Sequence, residues 1–341
     1  MLFGAFAANG KLPVSIKEDF KEGFGLQTYS LSRMEYTIPE AVNMSSLKLK
    51  EIDSLASIIL EEKMAPGFQV LAARNGKVFL QKSYGYHTDK KEREVRNSDV
   101  YDLASLTKIL ASLPLIMKAE EEKKIPLSAS LQDILPSFRN TNKAKVSVKE
   151  ILPHFGRLKS WIPFYKATQD SITGLNSDEY YSRRKSKTYD VKVAENLYLK
   201  HSYKDSIYKY IKEVEQRDKE GYKYSDLGYY LFKEALEEKY EKPLNKLVDE
   251  EFYASLGADR MTYLPLKKFH KSVIIPSEKD DYYRNQLIHG NVHDMGAAML
   301  GGVAGHAGLF SNANDVAKIM QMYLQKGFYG GRRYLKSETI D

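Results

Sequence analysis

The feature that most constrains this chain is the tetrad Arg74-Asn75-Gly76-Lys77, set between two apolar runs in "PGFQVLAARNGKVFLQKSYGY". Asn-Gly readily adopts the positive φ angles of a two-residue hairpin turn, so the two runs must fold back as antiparallel neighbours. A hairpin with an apolar face needs a cover, and the preceding stretch "SSLKLKEIDSLASIILEEKM" supplies one. Leu49, Ile52, Leu55, Ala56 and Ile59 fall on one helical face that must be buried, with Ser46 placed to cap the helix. A domain therefore begins near residue 46. After the hairpin, "LASLTKILASLPLIMKAEEEKKI" is apolar on nearly every side as far as Met117 and charged beyond it. That pattern predicts a helix whose first half lies inside a core, with Ser105 at its start.

The flanking regions read differently. Residues 1–45 hold one isolated strand signal, "GKLPVSI", and otherwise show neither helical nor strand period, as expected of a tail or linker. Residues 157–220 are polar and tyrosine-rich and end in the helical segment "HSYKDSIYKYIKEVEQ", which reads as an inserted, mainly helical lobe spanning about 110–250. "SDLGYYLFKEALEEKYEKPLNKLVDEEFYASL" gives two amphipathic helices divided at Pro243. The glycine-rich "GAAMLGGVAGHAGLF" then opens the helix "NDVAKIMQMYLQK", with Asn314 or Ser311 as its cap.

Composition excludes several classes. The 52 basic and 45 acidic residues leave a net charge of +7, but the signs alternate along the chain, so the excess reads as a solvated surface and not as a nucleic-acid footprint. No run approaches the roughly 20 apolar residues of a membrane helix, and "MLFGAFAANG" is too short, without a basic start, for a secretory signal. The absence of cysteine removes disulfides and thiolate metal sites. His289, His293 and Asp294 in "HGNVHD" lack helical His-x-x-x-His spacing and a third ligand nearby, so neither a metal nor a cofactor is expected.

Four segments carry chemistry, in this order: Ser105-Leu106-Thr107-Lys108; "VSVKEILPHFGRL"; Tyr224-Ser225-Asp226; and "GNVHDMGAAMLGGVAGHAGLFSNANDVAKIM". Together with the hairpin and the buried helix they resemble the serine β-lactamase and penicillin-binding-protein superfamily, class C-like, from about residue 47 onward. The first is the Ser-x-x-Lys motif, and the third resembles the Tyr-Ser-Asp form of the second motif. "VSVKEILPHFGRL" is similar to the family's Leu-Leu-x-His-x-Ser-Gly-Leu turn with its serine replaced. The resemblance implies an α+β fold, an antiparallel sheet flanked by helices plus a helical lobe, and an acyl-enzyme formed at Ser105. The substrate would be a lactam, a D-amino-acid peptide or an ester, linked to peptidoglycan metabolism. A non-catalytic domain of the same fold, kept to bind cell-wall material, is the alternative.

Helical spacing places Lys108 one turn from Ser105 and within reach of its hydroxyl. A serine hydroxyl must lose its proton to a base as it attacks a carbonyl. Burial favours a neutral Lys108 able to act as that base, whereas a nearby Asp226 favours its ammonium form. The second effect points to Tyr224 as the base, with Lys108 as its electrostatic support and Asp226 in a supporting role. Amides at the helix start, Ser105 included, can serve an oxyanion hole. His154, between Pro153 and Gly156, reads as a structural turn histidine. His306-Ala307-Gly308 matches the His-x-Gly form of the third motif, yet a capped helix follows it directly where the family continues into strands.

The resemblance therefore implies that His306 and Gly308 belong to an earlier element, and that the third-motif strand lies beyond Asp341. At the other end, "FGAFAANGKLPVSI" resembles the last strand region of family-three glycoside hydrolases. Bacterial proteins that fuse such a β-N-acetylglucosaminidase to a β-lactamase-like domain would account for both ends, and imply a periplasmic or cell-envelope location.

Overall fold

The computed structural model describes residues 7–28 and 30–341. The opening residues "MLFGAF", which carry part of the signal-peptide argument and of the glycosidase resemblance, lie outside them. Two compact units emerge: one comprises the chain up to Asn97 together with Ala317–Asp341, and the other is Ser98–Val316.

In the first unit the hairpin forms as expected, with strands Gly67–Arg74 and Lys77–Gly85 paired antiparallel. Asn75 and Gly76 take φ of 52° and 76° at its turn. Glu35–Tyr36 adds a parallel strand along Lys77 and Val78, so the sheet is mixed. The "GKLPVSI" segment is not a strand; only an isolated bridge joins Ile16 to Phe20. The covering helix is Ser46–Glu61, and its N-cap is Ser45, one residue earlier than expected, accepting from the Lys48 amide. Asp53 ties this helix to the hairpin through Lys82 Nζ and Tyr84 Oη, both at 2.7 Å. The apolar stripe is shallower than its pattern implies. Ala56 is buried, but Leu55 is 59% exposed, because at 100° per residue it falls at the stripe's rim.

The second unit has its core around two helical segments. Leu110, Leu115 and Ile116 are fully buried, as are Leu227, Leu231, Phe232, Ala235 and Leu236 of the helix Leu227–Tyr240. Pro243 divides that helix from Leu244–Val248, as predicted. The segment led by Ser105 is not one α-helix. A 3₁₀ turn at Ala104–Leu106 is followed by a π-helical turn at Lys108–Ser112 and then by the α-helix Leu113–Glu121. The cause is Pro114, which has no N–H for the carbonyl of Leu110. Tyr253 Oη donates to that carbonyl instead, at 3.0 Å.

Residues 157–220 depart from the helical expectation. They contain a three-stranded sheet of Tyr181–Ser182, Leu197–Lys200 and Tyr189–Ala194, before the predicted helix Tyr203–Glu213. A further three-stranded sheet pairs Leu309–Ser311 antiparallel with both Tyr101–Asp102 and Thr262–Tyr263. This sheet brings the glycine-rich segment up against the Ser105 turn. The next helix, Ala313–Leu324, is capped by neither Asn314 nor Ser311: Asn312 Oδ1 accepts from the Asp315 amide at 2.9 Å.

Candidate active site

Ser105 sits on a constrained turn. Ala104 before it takes φ of 44°, the left-handed region that disfavours a side chain. Asp102 holds that conformation, its Oδ1 accepting from the Ala104 amide at 2.8 Å and its Oδ2 from the His293 amide at 2.6 Å. Burial raises the Asp102 carboxyl above its ordinary value, and these two amides oppose the rise. Ser105 itself is exposed, while Lys108 beside it is only 3% exposed.

The Lys108 Nζ donates to Ser105 Oγ at 2.9 Å and to the His306 carbonyl at 3.2 Å, and forms an ion pair with Asp226 Oδ1 at 2.7 Å. The π-helical turn positions this side chain inward, and Ser112 Oγ anchors the turn to the Gly305 carbonyl at 2.7 Å. Close approach explains the glycines here: a Cβ on Gly305 would lie 2.2 Å from the Tyr229 carbonyl oxygen. Gly308 takes φ of 109°, and a Cβ there would lie 2.6 Å from the Gly302 carbonyl oxygen.

Tyr224 arrives from 119 residues away and donates its hydroxyl hydrogen bond to Ser105 Oγ at 2.8 Å. The Lys108 Nζ lies 4.9 Å from the centre of its ring. The loop carrying Tyr224 is held on both sides by His154. The His154 carbonyl accepts from the Lys223 amide at 3.0 Å, and its Nδ1 accepts from the Ser225 amide at 3.2 Å. Its ring packs on Tyr224 with centroids 4.5 Å apart. An Nδ1 that accepts belongs to a neutral imidazole. Burial, followed by the charge of Lys108, lowers the His154 pKa and favours that form. Ser225 Oγ donates to the Lys159 carbonyl at 2.6 Å, and the Asp226 amide donates to the Ser160 carbonyl at 2.8 Å. Asp226 stands at the N-cap of Leu227–Tyr240 without a side-chain capping bond, which leaves its carboxylate for Lys108.

The structure thus brings Ser105, Lys108, Tyr224 and Asp226 into one site and places His306 beneath it. His306 is 1% exposed, stacks on Tyr230 at 4.0 Å, and faces Asp294 Oδ1 through Nε2 at 2.8 Å. It meets Lys108 through its backbone, not its ring. Burial pushes the Asp294 carboxyl up, but the charge and hydrogen bond of His306, the Ala297 amide and the Lys108 charge outweigh it and hold it down at about 2. His289, His293 and Asp294 do not converge. His289 Nε2 faces the carbonyls of Lys271 and Ile274, and His293 pairs with Glu278. Among the described residues no group of three His, Asp or Glu could hold a metal ion. The roles of Asp102 and Asp294 were not foreseen from the sequence, because besides a local amide each engages a more distant group, the His293 amide 191 positions from Asp102 and the His306 ring 12 positions from Asp294.

Comparisons with known proteins agree with this architecture. Residues 55–339 match the Beta-lactamase family. An N-acetylmuramyl-L-alanine amidase of Bacillus subtilis (strain 168) is 26% identical over 332 residues, which cover 89% of this chain and 68% of the relative. A putative D-alanyl-D-alanine carboxypeptidase of Salmonella agona (strain SL483) is 27% identical over 349 residues, covering 92% and 74%. Among solved structures, a beta-lactamase/D-alanine carboxypeptidase from Pseudomonas syringae has a TM-score of 0.60 at 14% identity, over 87% of this chain and 69% of that one.

Proposed function

Because this chain belongs to the Beta-lactamase family, we propose that it is a serine hydrolase that forms an acyl-enzyme at Ser105 in peptidoglycan metabolism. The observation that carries the reading is the meeting of Tyr224 Oη and Lys108 Nζ on Ser105 Oγ, at 2.8 and 2.9 Å. Ser105 Oγ attacks a substrate carbonyl and forms the ester bond. The acting form of Tyr224 is the phenolate, its own proton first released to solvent; this oxygen takes the Ser105 proton and passes it to the leaving amine or alcohol as the scissile bond breaks. Lys108, held by Asp226 and the His306 carbonyl, supports the negative charge on Tyr224, and the Ser105 amide is offered to the oxyanion. Water, deprotonated by the same oxygen, then releases the acyl group. Lys108 is thus a support and not the base.

The substrate is a peptide, ester or lactam carbonyl of cell-wall origin, and the names of the amidase and carboxypeptidase relatives support that class and a cell-envelope, periplasmic location. Among the described residues no helix is long and apolar enough to cross a membrane. Residues 46–341 are proposed as the hydrolase domain, with 1–45 as the tail of a preceding family-three glycosidase. The match over 55–339 supports the first, and the resemblance of "FGAFAANGKLPVSI" alone supports the second. Turnover of a chromogenic ester, a penicillin and a D-alanyl-D-alanine dipeptide tests the function. At least one is expected to be hydrolysed, with Ser105→Ala abolishing the activity. Equal residual activity in parent and variant would favour a non-catalytic, cell-wall-binding domain.

A further inference from the structure

A cavity of about 260 Å³ opens beside Asp226, one contact beyond Lys108 as seen from Ser105. Its walls are aromatic: Tyr165 and Tyr230 are buried, whereas Trp161 and Tyr282 stand at 52% and 39% exposure. Two carboxylates complete the lining. Asp226 directs Oδ1 to Lys108, and Asp294 directs Oδ1 to His306 and the Ala297 amide. Asp226 Oδ1 is buried and forms no hydrogen bond among the described residues, so only the Lys108 charge faces it. Opposing charge is already engaged: Lys108 is held behind Asp226, and His293, which also lines the cavity, is paired with Glu278.

We propose that this cavity receives a primary ammonium group, and that the site therefore prefers acyl donors bearing such a cation a few carbons from the reacting carbonyl. The proposal rests on the reading of Ser105 as the acylated residue and adds a substrate class to it. Aromatic faces attract cations through their quadrupoles, most strongly when the cation is partly desolvated. A carboxylate-bearing ligand would face two like charges, and a plain alkyl chain would strip water from both carboxylates without replacing its hydrogen bonds. The whole chain, at net +7, repels cations at long range, so a preference for them has to arise locally.

The test compares p-nitrophenyl esters of 6-aminohexanoate, heptanoate and adipate, which end in ammonium, methyl and carboxylate groups on similar chains. The ammonium ester is expected to exceed the heptanoyl ester in kcat/KM by roughly tenfold, the scale of one or two cation–π contacts, with the adipoyl ester slowest. Trp161→Ala and Tyr282→Leu should each shrink that preference to within about threefold. Equal rates in the parent, or an unchanged preference in both variants, would overturn the proposal. A second readout needs no catalysis. Trp161 is the sole tryptophan, so butylammonium should quench its fluorescence saturably, butanol should not, and Tyr282→Leu should abolish the effect. A flat response in the folded protein also overturns the proposal. Quenching in a protein whose Ser105 takes no acyl label would instead refute the hydrolase reading and leave the cation site standing.

Discussion

Two histidines stand behind the two partners of Ser105, and they hold them in opposite ways. His154 grips the Tyr224 loop with its ring: Nδ1 accepts from Ser225 and the imidazole packs on the phenol. His306 supports Lys108 with its carbonyl, while its ring turns away to Asp294 and Tyr230. The first contact depends on a neutral side chain. The second depends on where the backbone runs. The exposed wall of the site is therefore chemically switchable, whereas its floor is fixed by packing.

Removing Tyr224's oxygen gives the largest effect on that contrast. Tyr224→Phe should lower kcat by about 10² to 10⁴, the usual contribution of a general base, with little change in thermal stability because the ring is 39% exposed. A loss under threefold would transfer the base role to Lys108. His154→Ala should come next, lowering kcat by roughly 10- to 100-fold through misplacement of Tyr224, and His154→Gln, which can still offer an acceptor, should recover part of it. His306→Ala should lower activity less than tenfold, since the carbonyl that meets Lys108 remains. It should destabilise the fold by about 1–3 kcal/mol, by opening a void under Tyr230 and leaving Asp294 unpaired. If His306→Ala impaired turnover more than His154→Ala, the distinction between wall and floor would fail.

Acid should separate the two in the same order. The folded His154 has a pKa below 6.5, so its contribution to stability is complete above that value and is lost as pH falls through the lowered folded pKa. Asp294, held near 2 against an ordinary 3.8, contributes above 3.8 and loses that contribution as pH falls towards 2. Activity should thus fall on an acid limb beginning below pH 6.5, while the fold responds to Asp294 only at lower pH. His154→Gln should remove the upper limb, as a kcat–pH profile would record. The smallest effect is expected at Ala104→Gly. Relief of the left-handed φ and the added freedom of the unfolded chain oppose one another, giving a net change within about 1 kcal/mol. A larger loss in a melting experiment would mean that the Ala104 methyl group packs more than its φ strains.

Local chemistry was the legible part of the molecule. Asn75-Gly76 specifies a turn by itself, and Ser105 and Lys108 meet because three residues are one turn. Tyr224 and Asp226 were legible only through resemblance, since nothing in 25 tyrosines singles one out. The π-helical turn was hidden because its cause is shared between Pro114 and Tyr253, 139 positions apart. His154 read as a turn residue, which it is at φ of 66°, but its hold on Ser225 spans 71 positions. The sheet within residues 157–220 escaped notice because its strands are two to six residues long, too short to establish a period against the polar background.

The central claim is that Ser105 is acylated with Tyr224 taking its proton. It is tested most directly by the rate at which a fluorophosphonate adds mass to the tryptic peptide containing Ser105. The parent should gain one label there, Ser105→Ala none, and Tyr224→Phe the same label at least about 100-fold more slowly. A label on Ser105→Ala, or a Tyr224→Phe variant that labels as fast as the parent, would contradict it.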